Sequence, residues 1–223
     1  MNKLLFISII TCGIISSTPA AWADSPLTST DFASTYQDVD SVRYASDYGL
    51  DERVFEALSN PNVPHDVRVA IINQIGWSGE SQQNAKLYLE YIAARDRTTP
   101  SELTLALLTS QETVALGYLL AMDHRFSLGK PIGGFGEVEQ ADALTLLNAA
   151  VAKVPNDFSV ALIRSLVQGQ DDFRSGNWCA VYQGVSSVVY DFPTPRNMRY
   201  LAIKEIMNYI GLYQDYCISA PNN

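Results

Sequence analysis

The residues that could do chemistry are few, and several of them gather around one glycine-rich stretch. Gly129-Lys130-Pro131-Ile132-Gly133-Gly134-Phe135-Gly136 is followed at once by Glu137, Glu139 and Asp142. A phosphate-binding P-loop needs its Lys after the final Gly, and a dinucleotide fingerprint needs a strand before its glycines, so neither motif is met. Three readings fit the stretch: a flexible connector, a loop that offers Ile132 and Phe135 to a partner, and a substrate loop beside the carboxylates. In the third, Glu137, Glu139 or Asp142 would serve as acid and base on a glycan. Glu137 and Glu139 also suit the positive end of a helix starting there, with no reaction involved.

The other reactive side chains are isolated. His65 falls in the first turn of a predicted helix and His124 in Asp123-His124-Arg125; neither has another His or a Cys at ligand spacing, so no metal site is expected. Gly76-Trp77-Ser78-Gly79 lacks the spacing of a nucleophile elbow, and Ser78 reads as part of a helix-ending turn. The expectation is a protein that binds rather than catalyses, without a cofactor.

The first residues read as an export signal. Lys3 precedes an apolar run from Leu4 to Ile15, and Ala21-Trp22-Ala23 supplies small residues at the two positions a signal peptidase inspects, so residues 1–23 are expected to be removed after Ala23. A lipid-attachment reading of Cys12 is disfavoured by Thr11, which is larger than the residue normally found before such a Cys. No later segment is long and uncharged enough to cross a bilayer, so residues 24–223 are expected to form one soluble domain in the periplasm, or outside the cell.

That compartment gives the remaining cysteines a role. Cys179 and Cys217 survive cleavage where thiols oxidise, one early in a predicted helix and the other just beyond the end of the next. A disulfide between them would staple an antiparallel helical pair and stabilise it by roughly 3 to 5 kcal/mol. No His lies near either one in sequence to activate a free thiol.

Composition narrows the partners. The formal net charge is -9, with 15 basic against 24 acidic residues, and loss of Lys3 with the signal moves it to -10. The basic residues are scattered, whereas binding nucleic acid requires them clustered. The charge keeps the chain in solution and would steer in a partner with a basic surface. At 47% hydrophobic and 17% charged, the chain can bury a full core.

Apolar residues recur at three-and-four spacing after Asp31, and strict alternation never lasts the length of a strand. The spacing predicts an all-α fold of about ten helices near 31–47, 51–59, 64–75, 81–95, 100–108, 110–123, 137–153, 156–168, 177–190 and 195–213. Start signals support it: Thr109 with Glu112 forms a capping box, and Thr99-Pro100 and Thr194-Pro195 place a hydroxyl before a first-turn proline.

The proline-started helices align with one another. Pro64-His65-Asp66-Val67-Arg68-Val69-Ala70-Ile71-Ile72-Asn73 matches Pro155-Asn156-Asp157-Phe158-Ser159-Val160-Ala161-Leu162-Ile163-Arg164 at Pro, Asp, Val, Ala and Ile, with fainter copies from Pro100 and Pro195. Two of the three intervals fall in the range of helix-pair repeats, and the longest holds the glycine-rich insertion. The segment from Asp66 to Gly76, with its Val-Arg, small residue and terminal Gly, resembles the second helix of a HEAT-type repeat. That resemblance covers one unit and implies stacked helical pairs. The architecture is therefore read as antiparallel helical pairs in a bundle or a short HEAT/TPR-like solenoid.

Six tyrosines, Tyr182, Tyr190, Tyr200, Tyr209, Tyr213 and Tyr216, lie in the last two predicted helices and their tail. Tyrosine suits interfaces, but Tyr209, Tyr213 and Tyr216 also follow helical spacing and would line a core edge equally well. The sequence-based expectation is an exported protein-protein interaction module, of the inhibitor or immunity-protein kind, whose partner meets Ile132, Gly133, Gly134, Phe135 and Gly136, with Tyr209 and Tyr213 as a second surface. An envelope scaffold and a glycan-acting hydrolase are the alternatives.

Overall fold

Side-chain caps at Asp51, Thr109, Asp142 and Asp157 start four of the helices. The computed structural model describes residues 25–77, 83–193 and 195–218; the expected signal segment with its cleavage site, the Ser78-Gly79 turn and the Thr194 cap lie outside them. Eleven α-helices are described: α1 (Asp40–Tyr48), α2 (Glu52–Ser59), α3 (His65–Gly76), α4 (Asn84–Arg95), α5 (Ser110–Asp123), α6 (Glu137–Gln140), α7 (Ala143–Lys153), α8 (Phe158–Arg174), α9 (Trp178–Asp191), α10 (Tyr200–Ile210) and α11 (Asp215–Ile218). Three 3-10 turns, Phe32–Tyr36, Pro100–Glu102 and Gly211–Tyr213, complete the described elements, among which there is no strand. None of these helices is long and apolar enough to cross a membrane.

The capping box is formed as the spacing predicts: Glu112 N donates to Thr109 Oγ1 at 3.2 Å and Thr109 N to the Glu112 carboxylate at 2.9 Å. It starts α5, whose residues from Glu112 to Asp123 are all buried. A helix apolar on every face belongs at the centre of a domain. α5 accordingly packs against α2, α3, α4, α7 and α8. α5 is thus the central helix of an all-α bundle or solenoid-like fold, in which the consecutive helices α7/α8 and α8/α9 pack closely on one another.

Four expected helices are shorter or broken, each for a visible reason. The 31–47 segment splits because Asp38 and the Thr35 carbonyl are engaged by Arg199, and the chain turns at Val39 before α1 begins. Of 100–108 only Pro100–Glu102 is helical; Leu103 is extended, and Lys153 Nζ takes the carbonyls of Leu105 and Leu108. The 137–153 segment breaks at Ala141, because the Asp142 carboxylate accepts from Thr145 N at 2.7 Å and restarts the chain as α7. Pro195 does not open a helix: α10 starts at Tyr200, and Asn197 is committed to α8 through Ser159 N at 3.1 Å.

Polar side chains tie the elements where hydrophobic packing alone would leave them free to slide. Asn73 accepts from Ala33 N at 3.0 Å and donates to the Thr30 carbonyl and the Tyr118 hydroxyl, fixing the first described segment to α3 and α5. Arg68, fully buried, donates to the carbonyls of Leu58, Asn60 and Val63 and so closes the α2–α3 connection. Burial pushes its guanidinium down to about 10. Such a cation is retained because carbonyl dipoles replace the water it loses. Cys179 and Cys217 are joined, with 4.7 Å between their Cα atoms, and the bond ties the start of α9 to α11.

Candidate functional site

The glycine-rich stretch is a built loop. Gly133 and Gly134 adopt φ of +101° and +139°, backbone that L side chains rarely enter. The Glu139 carboxylate reaches back from α6 and accepts from Phe135 N at 2.9 Å and Gly136 N at 2.8 Å. Gly133 N donates to the Glu139 carbonyl at 2.9 Å, and the Gln140 amide donates to the Gly134 carbonyl. Gly136 is required for a separate reason: a Cβ there would lie 2.6 Å from Ser101 Cα, so the loop is seated directly on the Pro100–Glu102 turn.

This framework sends its two large apolar residues in different directions. Phe135 is 99% exposed. Ile132 is half-buried, packs against the core and lines a pocket of about 300 Å³. That pocket lies between the loop, the start of α4 and the end of α5, with Lys86, Leu120, Asp123, His124 and Lys130 around it. Of the expected binding residues, the structure thus places Gly133, Gly134 and Phe135 on the outside and Ile132 in a wall.

Asp123 is the group in this pocket with the most altered chemistry. Its carboxylate accepts from Ala85 N at 2.8 Å and caps the start of α4, while Oδ1 is buried without a hydrogen-bond partner. Burial pushes the carboxyl up to about 7, against the opposing pull of the Ala85 and Asn84 hydrogen bonds. His124 is held below the usual imidazole range by burial and then by the nearby Lys130. Sequence reading passed over Asp123. Its signal was one carboxylate closing the apolar run from Val114 to Met122, where helix ends normally favour a cation.

Two of the three carboxylates after the loop have structural partners, Glu139 holding the loop amides and Asp142 capping α7, whereas Glu137 is exposed. Of the six C-terminal tyrosines, Tyr190, Tyr200 and Tyr216 are exposed, Tyr182 and Tyr209 are half-buried and Tyr213 is buried. Tyr213 is buried against Phe173, and its hydroxyl lies 2.6 Å from that of half-buried Tyr209.

A second polar constellation joins distant parts of the chain. His65 Nδ1 lies 2.7 Å from the Asp157 carboxylate, and Ser159 Oγ donates to the same carboxylate at 3.1 Å. A catalytic triad would place the hydroxyl on the far imidazole nitrogen, Nε2. Here Ser159 instead donates to Asp157 and to the Asn197 carbonyl, so the three residues act as a clasp between α3, α8 and the approach to α10.

The fold and these sites define the protein as an all-α bundle or solenoid-like fold with a disulfide staple and a hydrogen-bonded, aromatic-bearing loop. No protein-family model, curated protein or solved structure matches the chain.

Proposed function

We propose that this is an exported binding module that captures another protein through the 129–136 loop, with Phe135 as the anchor. The observation that carries the reading is a fully exposed phenylalanine on a backbone locked from behind. Exposing an aromatic ring costs the free protein solvation free energy, and a rigid mount removes the ordering cost that a floppy loop would add on binding. Glu102 and Glu137, both exposed, stand on the turn and helix that flank the loop, and the chain as a whole carries -9. The partner of best fit has an apolar pocket with a basic rim. An inhibitor or immunity-type role against a basic envelope effector meets that description. The bond between Cys179 and Cys217 supports an oxidising compartment, and the exported product is expected to begin at Asp24.

The test compares wild type with Phe135→Ala as bait in envelope extract. A stoichiometric partner retained by wild type and weakened by roughly 2 kcal/mol in the variant, at unchanged melting temperature, is the expected result. Equal retention by both baits would remove Phe135 as the anchor. Intact mass of the exported protein checks the Asp24 start.

A further inference from the structure

The ends of α1 and α3 enclose a second pocket, of about 380 Å³, that no part of the loop reaches. Among the described residues, Ser46, Asp47, Tyr48, Gln74 and Trp77 line it, and none of the described lining residues is basic. Its electrostatics are one-sided. The last carbonyls of a helix have no donor further along the chain, so a helix C-terminus carries partial negative charge. Two such ends meet here, and the exposed Asp47 adds a full negative charge.

The aromatic groups are held ready. Tyr48 is 68% exposed and stacks on Tyr44 with 4.5 Å between ring centroids. Tyr44 is itself fixed, its hydroxyl donating to Asp51 at 2.6 Å and the Arg53 guanidinium lying over its ring at 4.1 Å. Tyr44 thus has both a ring and a cation against it, and Tyr48 is the exposed ring of the pair. Gly49, at φ +70°, ends α1 directly after Tyr48. Trp77, 43% exposed at the end of α3, supplies the second ring.

We propose that this pocket binds an organic cation, an alkyl or quaternary ammonium group, placed over Tyr48 and Trp77 with Asp47 as its counter-charge. Ring faces attract a weakly hydrated cation, and the helix ends and carboxylate add the same sign of field. A hard metal ion would instead need a cage of oxygen ligands, which two rings do not provide. A neutral sugar could stack on the rings but would gain little from that field.

Choline chloride titrated against the full chain, with potassium chloride holding ionic strength constant, tests this through the Trp77 indole resonance and the Tyr48 ring signals. Saturable shifts at millimolar choline are expected, with binding roughly tenfold tighter than that of 3,3-dimethylbutan-1-ol, its uncharged carbon analogue. Tyr48→Leu keeps the apolar bulk and removes the ring; it should weaken choline by about tenfold. Asp47→Asn, at an exposed site, keeps the fold and should weaken choline while leaving the neutral analogue unchanged. Equal affinity for choline and its neutral analogue overturns the proposal. So does a methyl pyranoside that shifts these signals while choline is silent, or the absence of any saturable response.

Discussion

The imidazole of His65 and the carboxylate of Asp157 meet at 2.7 Å although 92 residues separate them in the chain. Each stands at the start of one of the two proline-led segments that align in sequence. The aligned copies are therefore not merely similar; their first turns hold one another. Asp157 has a second duty, accepting from Val160 N at 3.0 Å to cap α8. Burial opposes its charge, but the hydrogen bonds from His65, Asn197 and Val160 prevail and hold the carboxyl down at about 2.

A carboxyl held below its unfolded value stabilises the fold above that value and loses its effect as pH falls. For Asp157 the window runs from about 4 down to about 2. Asp157→Ala removes a cap and leaves His65 buried without its partner, so it should destabilise the protein by about 2 to 4 kcal/mol at pH 6. Thermal unfolding followed by circular dichroism should show the gap to wild type narrowing towards pH 2. A gap of constant size would mean that the ionised form of Asp157 contributes nothing.

Asp123 predicts the opposite slope. Its carboxyl sits at about 7, above the unfolded value, so the folded state binds more protons and stability falls as pH rises from about 4 to about 7. Asp123→Asn keeps an oxygen for Ala85 N and removes the buried charge. The variant should match wild type near pH 4 and exceed it at pH 8, by on the order of 2 to 4 kcal/mol. A variant less stable than wild type at pH 8 would show that the carboxylate is favoured where it stands.

The disulfide gives a third measurable effect. It closes a loop across a sequence separation of 38, and Cys217→Ser should lower stability by roughly 3 to 5 kcal/mol in air-oxidised protein. Adding reductant should bring wild type down to the variant and leave the variant unmoved. Two titratable thiols in native wild type would contradict the bond itself.

What could be read from sequence was whatever depends on neighbours in the chain. Three-and-four spacing gave the all-α class, the Thr109 and Glu112 pair located the start of α5, and cysteine arithmetic paired Cys179 with Cys217. What could not be read depends on partners far away. Nothing local says that Lys153 will take the Leu105 carbonyl and stop a helix from running to 108, or that Asn197 will be drawn to α8 and delay α10. The expected loop surface was half legible: glycines announced irregular backbone, but the sending of Ile132 inward and Phe135 outward follows from Glu139 and from the seat on Ser101.

The loop's rigidity is open to a direct test, because its glycines and its phenylalanine should respond in opposite ways. A Cβ at position 136 would meet Ser101 backbone at 2.6 to 2.9 Å, and backbone cannot swing aside as a side chain can. Gly136→Ala should therefore cost about 1 to 3 kcal/mol as the loop is pushed off the turn. At position 134 the clash is with the Glu139 carboxylate, and the φ of +139° adds strain for any L residue. Gly134→Ala should then release Phe135 N and Gly136 N from Glu139 and speed their hydrogen exchange. Phe135→Ala touches none of these contacts, and its ring is already in water, so its melting temperature should stay at the wild-type value. If Phe135→Ala destabilised the protein as much as Gly136→Ala, the ring would be packing against the fold, and the anchor role built on its exposure would fall with it.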